Sequence, residues 1–465
     1  MNFAELLFWE ILIGALSTVL LLRAALFRGL PSPTYDRVAL FIVGLVLLGA
    51  VSWTTLLIFL VVTFGTYLGL VCILRWVPEK PRLGLAILVP LQLAPLCYYK
   101  YGGFFAKEVL QFSGTHWLQL AIPVGISFYT FQKVAFACDT LLAGKPLPTL
   151  LNFLGFAGFF PQIVAGPIER RDDLLPQLET FEFRWLPKDI EVGATWIVLG
   201  FFFKRCLADN FALLFNATST ENSWAIWAAN LLFGLRIYYD FAGYSFIALG
   251  VARCLGVRLT LNFASPYCST SASDFWRRWH ITLSQWLRDY VYIPLGGGRV
   301  RQWAFNLLLV FTISGIWHGA GWNFLAWGVM HGVLLIVQRL SKGRIALNKA
   351  ISWTFTMAAV FLSWLAFYET NSDALRQKFA SLVSPSAYGF SKIAELANQW
   401  SPPDQFALVC FLLIAVGTHL LEWRGLRRGN EPYSEFRRPW LLALMILLTF
   451  LLAPTQQNEF IYFAF

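Results

Sequence analysis

Long apolar stretches, separated by short polar segments, run through almost the whole sequence. The longest lie at 6–27, 38–75, 83–98, 224–252, 322–338, 350–368, 405–422 and 440–453. About 20 apolar residues suffice to cross a bilayer as a helix. The chain is 57% apolar and 13% charged, whereas soluble domains average roughly 45–50% and about 25%. We therefore predict an all-α polytopic membrane protein with about eleven spans, some of them broken or re-entrant.

The positive charges lie in clusters between the apolar stretches. The formal net charge is +10, and basic clusters occur at 339–349 and 424–438. Lys and Arg are enriched in cytoplasmic loops, which explains the charge without a nucleic-acid partner. The stretch at 5–27 is long enough to span and lacks a basic n-region and a cleavage site, so it predicts a first membrane helix rather than a signal peptide. We expect a multi-pass protein surrounded by lipid.

The segment 274–292 is the most charged and aromatic passage of the chain. Interpreted as one amphipathic helix, it places four residues at intervals of four on one face: Trp276, His280, Ser284 and Arg288. The helix is too polar to span the bilayer. Arginines 277, 278 and 288 could hold the phosphates of an anionic donor. An interfacial anchor, in which Trp and Arg are common, fits the composition equally well.

His318 lies at the end of the apolar run 304–317, among Gly315, Gly319 and Ala320. An ionisable residue at membrane depth is a functional-site hypothesis by default. A neutral buried imidazole suits a general base that takes a proton from a hydroxyl. The alternative is a histidine that is hydrogen-bonded between helices. For His331 we favour packing.

No metal site is predicted from the histidines. Spacings such as H-x-x-x-H, which place two imidazoles on one helix face, are absent. The seven cysteines form no C-x-x-C pair and lie mostly in apolar runs, so they are interpreted as small core hydrophobes. His116 and His419 are interpreted as structural or loop residues.

Two further charged segments occur next to apolar runs. Arg236 and Asp240 are four residues apart and would share a helix face as a buried pair. The run 191–203 is too short to span upright and ends at Lys204 and Arg205, so it is expected to lie in the membrane interface.

Three motifs together resemble the membrane-bound O-acyltransferase family, and most closely its alginate O-acetyltransferase branch. They are FFPQIVAGPIER at 159–170, DFWRRWHITLSQWLRDYVYIPLGG at 274–297 and GIWHGAGWNFLAWGVMHG at 315–332. YDFAGYS at 239–245 and FIYFAF at 460–465 are also similar to that branch. One departure is FYE at 367–369, where relatives carry an arginine, so no role is assigned to that position.

The resemblance implies a single membrane acyltransferase domain over 1–465, with a catalytic core at about 159–332. The invariant histidine of the family corresponds to His318, and a second motif histidine corresponds to His280. The implied fold is a ring of helices around a funnel from the cytoplasm. No permanently bound cofactor is implied. Trp276, Trp279 and Trp317 are expected to shape a narrow channel.

The implied donor is cytoplasmic acetyl-CoA, and the implied acceptor is a hydroxyl of an extracytoplasmic polysaccharide. A periplasmic or secreted acetyltransferase is the expected partner protein. Two alternatives remain open at this stage. One is a transferase that takes a D-alanyl-like acyl group from a carrier protein. The other is a non-catalytic scaffold or transporter of a polysaccharide export complex.

Overall fold

The computed structural model of the protein describes residues 3–28, 30, 32–112, 121–163, 166–219, 222–341, 348–456 and 458–463. The regular elements in this part of the chain are all helices, and it contains no β-strand. The predicted all-α class is confirmed. His116 and part of the 339–349 basic cluster lie outside the described residues. The chain folds into two compact units, and the predicted single acyltransferase domain stays a prediction.

The first unit comprises residues 1–197 and 244–261. Its helices are α1 (Leu6–Phe27), α2 (Pro33–Val51), α3 (Trp53–Trp76), α4 (Pro81–Leu96), α5 (Gly102–Phe104), α6 (Ile126–Leu141), α7 (Leu150–Ala157), α8 (Phe160–Ile163), α9 (Arg171–Glu179) and α10 (Pro187–Phe201), which continues into the second unit from Val198. The π-helical segments Cys97–Tyr101 and Phe105–Val109 flank α5. The 38–75 stretch forms two helices because the chain is extended at Ser52, whose side chain caps α3.

The second unit comprises residues 198–243 and 262–465. A π-helical turn (Phe202–Ala208) leads to α11 (Asp209–Asn216), α12 (Ser223–Cys254, shared with the first unit), α13 (Ala272–Arg278), α14 (Ile281–Leu287), α15 (Trp303–His318), α16 (Trp322–Ser341), α17 (Lys349–Tyr368), α18 (Ser372–Val383), α19 (Phe390–Ala397), α20 (Pro402–Arg427) and α21 (Pro439–Leu452). Further short helices are the π-helical Arg288–Tyr292 and the 3₁₀ turns Pro266–Cys268, Pro385–Tyr388, Ser434–Arg437 and Ile461–Phe463.

Seven helical segments of the described residues are long and apolar enough to cross a membrane: α1, α2, α3, the run Pro81–Val109 that begins with α4, α16, α17 and α20. Helices α15 and α21 are apolar but shorter. Leu6, Trp53 and Phe450 leave 72–85% of their surface uncovered, as lipid-facing residues do. The protein is a multi-pass membrane protein, and the number of eleven spans stays a prediction.

Lys204 and Asp240 have partners that the sequence analysis missed. The ammonium of Lys204, 1% exposed, lies 2.7 Å from Asp240 and 3.0 Å from Asp209. The predicted pair of Arg236 with Asp240 was therefore wrong, and Arg236 lies over the ring of Phe215. The run 191–203 lies in α10 and in the π-helical turn that leads on to α11, and Lys204 in that turn is buried; the place of this run in the membrane interface stays a prediction. A buried ammonium is stable only with carboxylate partners. Asp240 therefore pairs with Lys204 and not with Arg236, which is closer to it in the sequence.

This ion cluster holds the C-terminal segment in place. Lys204 donates to the carbonyl of Asn458 at 3.0 Å, and Arg205, which also pairs with Asp209, donates to the carbonyl of Pro454. The carboxylate of Asp240 accepts the backbone N–H of Ile461 at 2.7 Å. The residue that follows, Tyr462, is thereby fixed next to the two motif histidines described below.

Candidate active site

His318 is the last residue of α15 and is 1% exposed. Four aromatic rings surround its imidazole, with centroids 5.0–5.5 Å from that of the histidine: Trp317, Trp327, Phe367 and Tyr462. Such a cage excludes water from most of the imidazole surface. A buried imidazole in an apolar cage favours its neutral form, the form that accepts a proton.

Close packing of α15 against α16 positions this cage. A side chain at Gly315 would collide with the carbonyl of Phe324, and one at Gly328 would collide with that of Phe311. Only glycine permits so close an approach at these two positions. Small residues in general let the backbones of membrane helices touch. The two helices thus form a tight hairpin that brings His318 and Trp327 together.

The segment that carries His280 is not one helix. It breaks between α13 and α14, where Trp279 is extended and His280 adopts the left-handed conformation with φ 42°. Segment 262–264 pairs with the break, because the N–H of Ala264 donates to the carbonyl of Arg278 and the N–H of Ile281 donates to that of Asn262. The prediction of a continuous amphipathic helix over 274–292 was therefore wrong. A non-glycine residue in this conformation costs about 1–3 kcal/mol, and such strain is common at active sites.

Asn262 fixes the ring of His280. Its Oδ1 accepts both the N–H and the hydroxyl of Thr282, at 3.2 and 3.0 Å, and lies 3.2 Å from Nδ1 of His280. Since this oxygen can only accept, Nδ1 carries the proton and Nε2 does not. His280 lies outside the seven candidate spans, and burial lowers its pKa to about 3, so the ring stays neutral at physiological pH.

Both motif histidines contact the same two rings. The ring of His280 lies 5.6 Å from Trp317 and 6.5 Å from Tyr462, which also contact His318. His331 is separate from them, since its Nε2 lies 2.9 Å from the hydroxyl of Ser363 and its ring contacts Trp327. This placement is consistent with packing, the role favoured for His331.

A cavity of about 290 Å³ lies between α13, α14 and α15. Four of the predicted donor-binding residues line it: Trp276, Arg277, Ser284 and Arg288. Ser314 and Val310 of α15 also line it. Ser314 precedes His318 by four residues, so one helical turn, about 5.4 Å, separates them along α15. The cavity therefore approaches the histidine cage from the side of α13.

A wider vestibule of about 1040 Å³ adjoins this cavity. The two share the residues Ser273, Arg277, Tyr292, Leu307 and Leu335. The vestibule adds polar groups from α16 and α17, among them Gln338, Arg339 and Ser352. The side chain of Arg277 is 74% exposed there, and Arg339 lies over Trp303 and donates to the carbonyl of Gly298. A positively charged entrance thus leads to a narrower, mostly apolar inner cavity.

Comparison with known proteins identifies the family of the chain that carries this site. The model described as MBOAT, membrane-bound O-acyltransferase family, matches residues 109–370, more than half of the chain. The chain belongs to the membrane-bound O-acyltransferase family. The resemblance found in the sequence is confirmed, and the protein is an O-acyltransferase, which excludes the non-catalytic scaffold.

Curated relatives within this acyltransferase family support the assignment. The chain is 30% identical to the peptidoglycan O-acetyltransferase of Helicobacter pylori, over 83% of this chain and 82% of the relative. It is 34% identical to the probable alginate O-acetylase AlgI of Azotobacter vinelandii, over 70% and 68%. The teichoic acid D-alanyltransferase of Streptococcus thermophilus is 30% identical over 46% of this chain and 56% of its own length.

Three other predicted site residues of this acyltransferase do not line the inner cavity. Arg278 pairs with Asp274 at 3.1 Å and donates to the carbonyl of Ala264, so it supports the break in the chain. Trp279 is fully buried among aromatic rings that include Tyr267 and Trp364. Trp317 stands between the two motif histidines. Whether each acts on substrate stays a prediction.

Sequence reasoning missed Asn262 and Tyr462 as site residues. Tyr462 lies in the C-terminal motif that resembles the family, but nothing in its spacing places it beside His318 and His280, which come much earlier in the chain. Asn262 is a lone polar residue in an irregular segment, without a distinguishing sequence signal. The departure at 367–369 is explained, since Phe367 packs on His318 and Glu369 pairs with Lys378 at 2.6 Å.

Asn262→Ala is expected to lower kcat about tenfold, the effect of losing one hydrogen bond worth about 1.4 kcal/mol. The variant removes the acceptor that holds Nδ1–H of His280, whereas donor binding involves other residues. Steady-state acyl transfer should therefore show an unchanged KM for the donor. Asn230→Ala serves as the control, since Asn230 is equally buried and accepts the hydroxyl of Tyr368. An equal loss of kcat in both variants would contradict the positioning role.

Proposed function

We propose that the protein moves an acetyl group from cytoplasmic acetyl-CoA to a hydroxyl of an extracytoplasmic polysaccharide. The observation that carries the proposal is that a positively charged vestibule shares lining residues with an apolar cavity, which extends to Ser314, one turn before His318. A CoA thioester has the matching polarity, with phosphates at one end and an uncharged acyl arm at the other.

The vestibule suits the anionic end of the donor. The guanidinium groups of Arg277 and Arg339 both line it, and a guanidinium can bind a phosphate through two parallel hydrogen bonds. Helix α16 ends at Ser341, and the basic cluster at 339–349 follows there. Such clusters favour the cytoplasmic side, where acetyl-CoA is made available. These features support an inner-membrane enzyme whose donor enters from the cytoplasm.

His318 is the general base of the proposed reaction. Its imidazole takes the proton of the acceptor hydroxyl while that oxygen attacks the thioester carbonyl carbon. The carbon–sulfur bond breaks, the new carbon–oxygen bond remains as the ester, and the proton passes from His318 to the CoA sulfur. No oxidant or further reactant is needed, and the dry aromatic cage strengthens each electrostatic interaction on this path.

His280 orients the reacting groups in this mechanism. Its Nδ1–H donates to Asn262, so its Nε2 accepts hydrogen bonds and does not donate them. A His280 that donated a hydrogen bond to the oxyanion would need the opposite tautomer. Orienting the acceptor hydroxyl agrees with the hydrogen bonds observed. Trp317 and Tyr462 contact both histidines and set the space between them.

The acceptor class is proposed from the relatives. The names of the Helicobacter and Azotobacter proteins describe O-acetylation of peptidoglycan and of alginate. Both polymers carry sugar hydroxyls. We propose an acceptor of this class outside the cytoplasm, reached directly or through a periplasmic or secreted acetyltransferase partner.

The second candidate donor is a carrier protein that delivers a D-alanyl-like group. The similarity to the teichoic acid D-alanyltransferase favours it, although that match covers less than half of this chain. The O-acetylating relatives match over 70–83% of the chain, so acetyl-CoA is the better supported donor. If the donor were a carrier protein, the vestibule arginines would have no phosphates of free CoA to bind.

Arg277→Gln is therefore expected to raise the KM for acetyl-CoA about tenfold while kcat changes less than twofold. The lost hydrogen bonds to a charged group are worth about 1.5–3 kcal/mol, and exposure to solvent places this site at the lower end. The measurement is CoA release at varied acetyl-CoA concentration, repeated at high salt, where wild type and variant should converge.

Arg376→Gln is the matched control, because Arg376 is 82% exposed and lies on α18, outside the vestibule. Its KM should equal that of the wild type. If Arg277→Gln also leaves KM unchanged, the phosphates bind elsewhere or the donor is a carrier protein.

A further inference from the structure

A cluster of metal-ligand type lies in the second unit, apart from the histidine cage. It consists of Cys268, His419 and Glu422, whose ligand atoms all lie within 4.8 Å of one another. Cys268 ends the 3₁₀ turn Pro266–Cys268, whereas the other two residues lie on α20. Their spacing of three places His419 and Glu422 on the same face of that helix.

The distance between the first two ligand atoms fits one shared ion. Sγ of Cys268 lies 3.9 Å from Nε2 of His419. In a tetrahedral zinc centre, bonds of about 2.3 Å to sulfur and about 2.0 Å to nitrogen put these two atoms about 3.5 Å apart. Small side-chain rotations therefore bring both atoms to bonding distance of an ion between them.

Glu422 supplies an independent observation. It is 2% exposed, and its Oε2 makes no hydrogen bond of normal length among the described residues, although the hydroxyl of Ser265 interacts with the carboxylate. The arginines 424, 428 and 438 pair with Glu435 instead. A buried carboxylate in this situation is costly unless it is protonated or a cation neutralises it. The unsatisfied oxygen belongs to the same carboxylate that faces Cys268 and His419.

The surroundings of the cluster resemble the outer shell of a metal site. The hydroxyl of Tyr238 donates to Oε1 of Glu422 at 2.7 Å and lies 3.0 Å from the hydroxyl of Tyr433. The hydroxyl of Tyr433 in turn accepts the N–H of Ser265. Hydrogen bonds of this kind fix the orientation of ligating carboxylates. Cys268 and His419 are partly exposed.

We propose that Cys268, His419 and Glu422 bind a zinc ion, with water in the fourth position. Thiolate, imidazole and carboxylate are all ligands of zinc, and the thiolate disfavours magnesium and calcium. The sequence analysis expected no metal because it searched for paired histidines. This ligand set instead combines a His-x-x-Glu spacing with a cysteine 151 residues earlier in the chain.

The role of the proposed ion is structural. It would tie α20 to the 3₁₀ turn that precedes α13. Tyr267, next to Cys268, packs against Trp279 with ring centroids 6.1 Å apart, and Trp279 directly precedes His280. The ion would therefore stabilise the break in the chain on which the orientation of His280 depends.

The test is the zinc content of the full chain, purified in detergent with a tag that contains no histidine and measured by mass spectrometry. The wild type is expected to carry about one zinc ion per chain. Cys268→Ser and His419→Gln should each carry at least about tenfold less, because a lost ligand weakens binding at least as much as a lost outer-shell partner. Cys410 lies on α20, as His419 does, but outside the cluster. The variant Cys410→Ser should therefore keep the ion.

A measurement on the wild type keeps the proposal testable if a variant fails to fold. Removal of zinc by a chelator should lower the melting temperature, and added zinc, but not magnesium, should restore it. Two results would overturn the proposal. One is a wild type that lacks zinc after growth with zinc and whose melting temperature added zinc does not raise. The other is a zinc content that is unchanged in folded Cys268→Ser and His419→Gln.

Discussion

His318→Ala is expected to lower the rate of acetyl transfer about 10²–10⁴-fold, the usual contribution of a positioned proton-transfer group. The side chain is 1% exposed and caged by four aromatic rings, so no water molecule can readily take over as base. Binding of acetyl-CoA should change little, because the proposed phosphate contacts are made by Arg277 and Arg339 and not by His318. The measurement combines single-turnover acetyl transfer with a separate binding isotherm for the donor.

His331→Gln is the matched control for this experiment. His331 is equally buried, touches the same Trp327, and is hydrogen-bonded to Ser363. Its replacement disturbs the packing but removes no proposed proton-transfer group, so the rate should fall less than about tenfold. If both variants lose activity equally, the loss reflects disturbed packing rather than base catalysis. A His318→Ala variant within a few fold of wild type would remove the general base from the mechanism.

Lys204→Met is expected to destabilise the second unit by about 3–5 kcal/mol, because it leaves a buried carboxylate without its counterion. Asp209 keeps Arg205 as a partner, but Asp240 loses the ammonium at 2.7 Å. The C-terminal segment loses its bond from Lys204 to Asn458 at the same time. We expect a lower melting temperature in detergent, faster proteolysis after residue 453, and loss of activity as Tyr462 leaves the cage.

Lys378→Met is the control for the lysine substitution. Lys378 also pairs with a carboxylate, that of Glu369 at 2.6 Å, but both side chains are partly exposed. Such a pair contributes about 0–1 kcal/mol, so the melting temperature should hardly move. Equal melting temperatures of Lys204→Met and wild type would show that the buried cluster does not hold the C-terminal segment.

Hydrophobic periodicity and span length were enough to predict the class of the fold. The first span was predicted at residues 6–27 and observed at Leu6–Phe27, because a long uninterrupted apolar run permits only a helix in lipid. The two helices in the 38–75 stretch are separated at Ser52, a polar residue inside the apolar run. Local patterns of this kind depend on residues close together in the chain.

The break at His280 could not be predicted from the local pattern. Residues 274–292 have good amphipathic spacing, but Ala264 bonds the carbonyl of Arg278 and Asn262 bonds the N–H of Ile281, on either side of the break. The partners of Lys204 were missed for the same reason, since Asp240 and Asn458 come from distant segments. The motif resemblance drew attention to His318 and His280, but only the fold brings Tyr462 to both.

The most direct test of the central claim uses the purified wild type in nanodiscs, with acetyl-CoA labelled in the acetyl group and a polysaccharide acceptor supplied. CoA release and label on the acceptor are followed together. We expect the two to rise in equal amounts, and both to be absent from His318→Ala. A well-folded wild type that releases no CoA, with acceptor and membrane extract present, would contradict acetyl-CoA as the donor.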